Sequence, residues 1–221
     1  MDSSFELFSS LHKLNLLKDK PNSWWPNAGE FEVLIGAILT QQTKWQKVEK
    51  SLINLKEKNL LSIESLADID VKELAIIIKP SGFYNTKSKW IKQICINIKN
   101  EFGDFENFQE QVDREWLLAQ KGIGEESADS ILCYGCFRDE VVVDAYSDRL
   151  LRAFGYEFDR YQDIKEWLVE GVTQNREKIE NLFDKKPTLN IIYSYFHGAI
   201  VEYAKLYSSG KNISIEKLKE E

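Results

Sequence analysis

Apolar residues recur at helical spacing along most of the chain. In segment 88–102, for example, the apolar side chains fall on one stripe of a helix and most of the lysines fall outside it. The same spacing predicts helices at about 4–17, 30–39, 45–58, 71–78, 88–102, 106–118, 125–137, 146–154, 161–170 and 189–207. The best strand candidate, the three valines at 141–143, is too short to make a sheet. The pattern therefore predicts an all-α fold.

The composition is that of an ordinary globular chain. With 221 residues, of which 43% are hydrophobic, it can form one large or two small domains. The longest uncharged apolar run, 33–39, is far shorter than the roughly 20 residues that cross a bilayer. Residues 1–11 lack the pattern of a secretory signal, and the three cysteines are too few for a disulfide framework. We therefore expect a cytoplasmic protein with reduced thiols.

The charge balance argues against nucleic-acid binding through bulk positive charge, because 29 basic residues face 36 acidic ones and the net charge is −7. Segment 79–99 is a local exception, since it holds five lysines and neither Asp nor Glu. These are Lys79, Lys87, Lys89, Lys92 and Lys99. They form either a surface for DNA phosphates, with Lys87 among the contacts, or one solvated helix face.

Segment 117–129 (LLAQKGIGEESAD) predicts a helix, a tight hairpin and a second helix. Gly122 and Gly124 permit positive φ and close approach of another backbone. Amides at the start of the second helix favour an anion, so Lys121, Gly122, Ile123 and Gly124 are candidate contacts for a DNA phosphate. The alternative is a glycine-assisted turn between packed helices.

Asp144 follows the valines at 141–143 and lies twenty residues after Gly124. A Gly-x-Gly hairpin followed at this spacing by Val-Asp resembles the helix-hairpin-helix superfamily of DNA glycosylases. Segments 39–43 (LTQQT) and 82–88 (GFYNTKS) resemble two further motifs of that superfamily, in the expected order. With segments 24–27 (WWPN), 80–84 (PSGFY) and 196–198 (FHG), the chain is most similar to 3-methyladenine DNA glycosylase III, in the endonuclease III-like branch.

This resemblance implies two helical lobes with a DNA-binding cleft between them. Residues 30–137 would form a central lobe containing the hairpin at about 114–137, and residues 1–29 with 138–221 would form the second lobe. Asp144 would be the catalytic residue at their junction. An enzyme that acts on a base must rotate the nucleotide out of the duplex and fill the gap.

The resemblance also gives two side chains the role of filling that gap. Gln41 would occupy the vacated position in the stack, and Phe83 would wedge against the orphaned partner base. Otherwise, Phe83 is an ordinary core aromatic and Gln41 a helix cap.

The base pocket is expected to contain Trp24, Trp25, Pro26, Trp45 and Lys205. Electron-rich indole faces attract a cationic ring, which suits an alkylated base. Tryptophans are also common core anchors, and adjacent helical positions cannot both face one side. His197, on the same predicted helix as Lys205, is interpreted as structural in preference to a hydrogen-bond donor in the pocket.

Strand cleavage in this superfamily uses a lysine nucleophile two residues beyond the second hairpin glycine, where this chain has Glu126. We therefore expect a monofunctional enzyme without lyase activity. No cysteine follows Cys136, so an iron–sulfur cluster near the C-terminus is not expected, and Cys133 and Cys136 are interpreted as core thiols, not a half zinc site. Some hairpins of the superfamily hold a monovalent cation through backbone carbonyls, and that point stays open here.

The sequence thus predicts a monomeric, monofunctional DNA glycosylase that removes alkylated purines, 3-methyladenine first, from double-stranded DNA in base excision repair. The catalytic step would be Asp-assisted hydrolysis of the N-glycosidic bond after base flipping. Two alternatives remain. One is a glycosylase for mismatched adenine or oxidised pyrimidine, and the other is a non-catalytic helix-hairpin-helix module that only binds DNA.

Overall fold

Helices make up most of the computed structural model, which describes residues 1–21 and 23–219 and confirms the all-α prediction. The helices are α1 (Ser4–Lys13), α2 (Glu32–Thr40), α3 (Trp45–Glu57), α4 (Ile63–Asp68), α5 (Val71–Ile77), α6 (Tyr84–Glu101), α7 (Phe105–Gln111), α8 (Arg114–Ala119), α9 (Glu125–Ser130), α10 (Ala145–Ala153), α11 (Tyr161–Gln174), α12 (Arg176–Glu180), α13 (Leu189–Tyr207) and α14 (Glu216–Lys219). A two-stranded antiparallel ribbon joins β1 (Ser208–Ser209) to β2 (Asn212–Ile213). In the part of the chain that the structure describes, no helix is both long and apolar enough to cross a membrane.

Two of the predicted helices are divided in the structure. The stretch predicted as one helix at 106–118 is two, because Asp113 caps α8 by accepting from the backbone N–H of Trp116 at 2.7 Å. The stretch predicted at 125–137 is α-helical only to Ser130 and then forms a π-helical turn, Ile131–Gly135. The valines at 141–143 lie outside any strand and lead directly to Asp144.

The chain divides into two compact units. The central unit is Asn27–Phe137, and the terminal unit is Met1–Pro26 with the chain from Arg138 onward. In the central unit, α2 is buried along 33–39 and contributes to one core with α3, α4 and α6. In the terminal unit, the apolar faces of α1, α10 and α11 pack with α13, which is buried along most of its length.

The predicted hairpin joins α8 to α9 in the central unit. Gly122 has φ +87°, in the left-handed region that favours glycine. A Cβ on Gly122 would lie 2.2 Å from Cδ2 of Trp90, so the indole of α6 fits against the bare backbone of the turn. Gly124 precedes α9 in an extended conformation and has open space around its Cα. Gly122 is therefore required by both its φ and its packing, whereas the position of Gly124 has room for a side chain.

This difference predicts the effect of replacing each glycine with alanine. Gly122→Ala should lower the free energy of unfolding by about 2–4 kcal/mol, because it adds both a strained φ and a clash with the Trp90 ring. Gly124→Ala is the matched control and should lower it by less than about 1 kcal/mol, the cost of a poorer helix cap. Urea denaturation of both variants measures this, and equal losses would contradict the analysis.

Candidate active site

Asp144 begins helix α10 in the terminal unit, and one of its carboxylate oxygens caps that helix. Oδ1 accepts hydrogen bonds from the backbone N–H of Tyr146 at 2.9 Å and of Ser147 at 2.8 Å. The Ser147 hydroxyl also donates to Oδ1 at 3.0 Å, and the Asp144 N–H lies 3.4 Å from the same hydroxyl, which completes a capping box. The helix thereby fixes the position and rotamer of the carboxylate.

The other oxygen, Oδ2, faces His197 of α13, whose Nε2 lies 3.6 Å away. The imidazole is buried, with 5% of His197 exposed. Burial alone would raise the pKa of Asp144, but the contact with His197 and the bonds from Ser147 outweigh it, so the pKa lies below its ordinary value. Asp144 is therefore an ionised carboxylate at neutral pH.

Trp24 lies on the other side of His197. The two rings meet edge to face with centroids 5.3 Å apart. Trp24 has φ +56° and rests on helix α13 at Gly198, where a Cβ would lie 2.4 Å from its Cγ. Asp144, His197 and the Trp24 indole thus form a continuous row within the terminal unit.

A carboxylate and an ammonium adjoin the same indole. Trp24 Nε1 donates to Oε1 of Glu202 at 3.1 Å, and Lys205 Nζ donates to the same oxygen at 2.8 Å. Burial would raise the pKa of Glu202, but these two bonds more than offset it and the pKa is lowered. The Lys205 ammonium lies 5.6 Å from the centre of the Trp24 ring, so the π-system already attracts a cation.

The structure distributes the other predicted pocket residues differently. Trp25 is 7% exposed and meets Trp24 edge to face, with centroids 6.2 Å apart. Pro26 is exposed. Trp45 belongs to the central unit, where it is partly buried against the core. Within the terminal unit, the structure therefore brings Trp24, Trp25 and Lys205 together.

The two side chains predicted to enter the DNA stack lie on turns of the central unit. Phe83 is 64% exposed and has φ +45°, which excludes the interpretation as a core aromatic. The Gln41 side chain instead donates to the carbonyl of Gly122 at 2.8 Å and to the Ser127 hydroxyl at 3.0 Å. Insertion of Gln41 into a duplex requires these two bonds to break.

The prediction that Lys87 contacts a phosphate is wrong. Lys87 is 1% exposed, and its ammonium donates to protein oxygens in the interior. Lys92 donates to the carbonyl of Ile69 at 2.6 Å, and Lys99 lies 3.6 Å from Asp68. The other two lysines of segment 79–99, Lys79 and Lys89, are exposed. The segment therefore presents a smaller basic surface than its sequence indicates.

The hairpin residues keep the arrangement of an anion site in part. Lys121 is exposed, and Gly124, which has no side chain to cap α9, leaves the first-turn amides to other acceptors. The N–H of Ile123 donates to the carbonyl of Gln120 at 3.1 Å, and its side chain is buried. Ile123 therefore shapes the turn, while Lys121, Gly122 and Gly124 remain the predicted phosphate contacts.

Within residues 1–21 and 23–219, no three His, Cys, Asp or Glu side chains are grouped in a way that could hold a metal ion. Cys133 is buried and Cys136 partly buried in the central unit. Burial by itself places Cys133 among the core side chains.

Sequence reasoning missed the functional position of His197 and all of Glu202. The sequence indicates a structural role for His197, whereas the structure places it facing the carboxylate of Asp144. One signal in the sequence could have found them. His197 and Glu202 lie on the same apolar helix as Lys205, which is a predicted pocket residue. Ser147, three residues after Asp144, also fits the spacing of a capping box.

The comparisons with known proteins identify the family of the chain. Residues 35–174 match the model of the HhH-GPD superfamily of base excision DNA repair proteins. A protein of Methanocaldococcus jannaschii is 33% identical to this chain, in a match that covers 95% of this chain and 92% of the relative. Its name describes it as an inferred DNA repair glycosylase. The H. pylori 3-methyladenine DNA glycosylase, solved with bound 1,N6-ethenoadenine, is 44% identical at a TM-score of 0.90, over 92% of this chain and 98% of that chain.

A structure of endonuclease III with DNA, 17% identical with a TM-score of 0.73 over 97% of this chain and 91% of that one, shares the fold. From the family match and these similarities, the chain belongs to the HhH-GPD superfamily of base excision DNA repair glycosylases.

Proposed function

We propose that this glycosylase is monofunctional and removes alkylated purines, 3-methyladenine first, from duplex DNA. The proposal includes action as a monomer in the cytoplasm and a DNA contact through the hairpin. The single observation that carries it is the row of Asp144, His197 and Trp24, which sets an ionised carboxylate near a cation-attracting indole. The monovalent cation at the hairpin stays a prediction.

The carboxylate suits the departure of a base. As the N-glycosidic bond breaks, positive oxocarbenium character builds on the sugar, and a nearby negative charge stabilises it. The same carboxylate can orient water or accept its proton. Because Oδ1 caps α10, Oδ2 is the oxygen that performs this chemistry.

The indole suits a base that is already cationic. A 3-methylated adenine carries a positive charge and leaves without a general acid, so the protein has mainly to select it. Trp24 donates its N–H to the Glu202 carboxylate, which increases the electron density of the ring. A desolvated cation over such a ring gains about 2 kcal/mol or more.

Two further features support the proposal, one for base removal without strand cleavage and one for base flipping. Glu126, at the position where lyases of this superfamily have lysine, is an exposed carboxylate that cannot form an imine. Phe83 presents an exposed aromatic side chain from a turn, as a wedge beside a flipped nucleotide requires. The similarity to the H. pylori enzyme supports the alkylated substrate.

Asp144→Asn tests whether the chain is an enzyme. Asparagine can still cap α10 through its carbonyl oxygen, so folding and duplex affinity should change little, whereas release of 3-methyladenine from methylated DNA should fall about 10²–10⁴-fold. Asp148→Asn, four residues later and paired with Arg152 at 2.9 Å, is the control and should keep the parental rate. A parental chain that binds DNA but releases no free base would instead be a binding module, and release of another base would change the specificity.

The contact with His197 predicts a pH dependence. In the parent, the lowered pKa keeps Asp144 ionised, so single-turnover release should stay flat from pH 8 to about 5. In His197→Gln, burial is no longer offset by histidine and the pKa of Asp144 should rise. Protonation as the pH falls through this raised pKa should lower the rate at pH 5 by about fivefold or more relative to pH 8. His12→Gln, which removes the other histidine, should follow the parental profile, and coincident profiles for all three proteins would refute the role of His197.

Trp24→Ala should weaken damage selection more than duplex binding. Loss of the cation–π contact should slow release of 3-methyladenine about 30-fold, while the Kd for undamaged duplex stays within about threefold of the parent. Trp167→Ala removes another partly buried tryptophan of the terminal unit, one that contacts Tyr156, and should leave both quantities unchanged. Equal losses of selection and affinity in Trp24→Ala would contradict the pocket assignment.

A further inference from the structure

Lys87 is a charged residue of the central unit that is buried among neutral oxygens. It lies in the first turns of α6, is 1% exposed, and has its ammonium among four oxygens. Nζ lies 2.7 Å from the carbonyl of Leu39, 2.9 Å from that of Gln41, 2.9 Å from the Thr43 hydroxyl and 3.0 Å from the carbonyl of Ser81. All four acceptors are neutral, so this buried charge is held by backbone and hydroxyl dipoles.

These oxygens come from the two turns that carry the predicted DNA-intercalating side chains. Leu39, Gln41 and Thr43 belong to the end of α2 and the turn after it, which we name the Gln turn (residues 39–43). Ser81 ends a short 3₁₀ helix, Lys79–Ser81, and starts the turn to Phe83, which we name the Phe turn (residues 81–83). Thr43 also donates directly to the Ser81 carbonyl. The ammonium therefore joins the Gln turn to the Phe turn.

Both turns have backbone that needs such support. Gln42 has φ +53° and Phe83 has φ +45°, conformations that non-glycine residues adopt at a cost and keep only when neighbours enforce them. From the Gln turn, the Gln41 side chain reaches on to Gly122 of the hairpin at 2.8 Å. One buried cation thus fixes the spacing of the exposed Phe83 side chain, the Gln turn and the hairpin.

We propose that Lys87 is a positioning residue for opening the duplex: it holds the Gln turn and the Phe turn at a fixed separation, so that they can support a flipped nucleotide. The inference rests on the proposed function. It predicts that loss of the Lys87 ammonium slows base release more when the damaged base is harder to unstack and unpair. The rate of hydrolysis of the N-glycosidic bond itself should not change. Lys87 touches no DNA in this role.

The test compares two duplexes that differ only in that work. One holds 3-methyladenine paired with thymine, and the other holds it opposite an abasic position, where there is no partner base to unpair. Lys87→Met removes the ammonium and keeps an unbranched apolar stem. Single-turnover release from the paired duplex should fall about tenfold or more, and release from the unpaired duplex should stay within about threefold of the parent.

Lys72→Met is the matched control, because it removes an exposed lysine from α5 of the same unit. It should leave both rates unchanged. Equal loss on the two duplexes in Lys87→Met would indicate general damage to the fold and overturn the proposal, as would no loss on either. A parental chain that releases 3-methyladenine from neither duplex would refute the proposed function, which is a different outcome.

A second measurement follows the parental chain as the pH changes and serves if Lys87→Met does not fold. Burial lowers the pKa of Lys87 to about 8. Above that pH the neutral amine has two donors for four acceptors, so the link between the turns should loosen. The parental ratio of paired to unpaired rates should fall about threefold or more between pH 7 and 9. In Lys87→Arg, whose charge persists, the ratio should stay constant with pH. A parental ratio that is constant from pH 7 to 9 would overturn the proposal.

Discussion

The structure depends on keeping a carboxylate charged in a place where water has little access. Asp144 is half-buried, and its loss of contact with water favours the neutral acid, which in the proposed function could not stabilise positive charge on a sugar. The protein resolves this conflict by placing the residue at the start of α10, where the dipole and the amides of Tyr146 and Ser147 favour negative charge. His197 then approaches the second oxygen. Oδ1 thus has a structural task, whereas Oδ2 faces His197 and performs the chemistry in the proposed function.

The central unit solves the opposite problem with a buried cation. An ammonium removed from water is costly unless its protons are satisfied, and the ends of the Gln turn and the Phe turn supply four oxygens. Desolvation still lowers the pKa of Lys87 to about 8, so these dipoles do not fully replace water. A chain that keeps such a residue gains a rigid junction between two irregular turns. An apolar side chain would fill the volume but would take away the ammonium donor that those carbonyls share.

The sequence predicted most of the helices, the hairpin and the helix that starts after Asp144, because these follow from local patterns. Helical periodicity, a Gly-x-Gly turn and three valines before an aspartate are properties of neighbouring residues. Trp24 and Lys205 were also named for one pocket, and the structure brings them together beside Glu202. The roles of His197 and Glu202 could not be derived in the same way, since they depend on which face of α13 meets segments from the opposite end of the chain.

Lys87 shows why a run of lysines in the sequence does not reveal which of the side chains are exposed. Five lysines without an acid in segment 79–99 are typical of a solvated or phosphate-facing surface. Position 87 nevertheless lies on the buried face of α6, together with Ser88 and Ile91. What determines its environment is a set of carbonyls from residues 39, 41 and 81, and backbone oxygens have no sequence signature. A lysine within a Gly-aromatic-Tyr-Asn-x-Lys segment is thus better interpreted through the turn before it than through the charges around it.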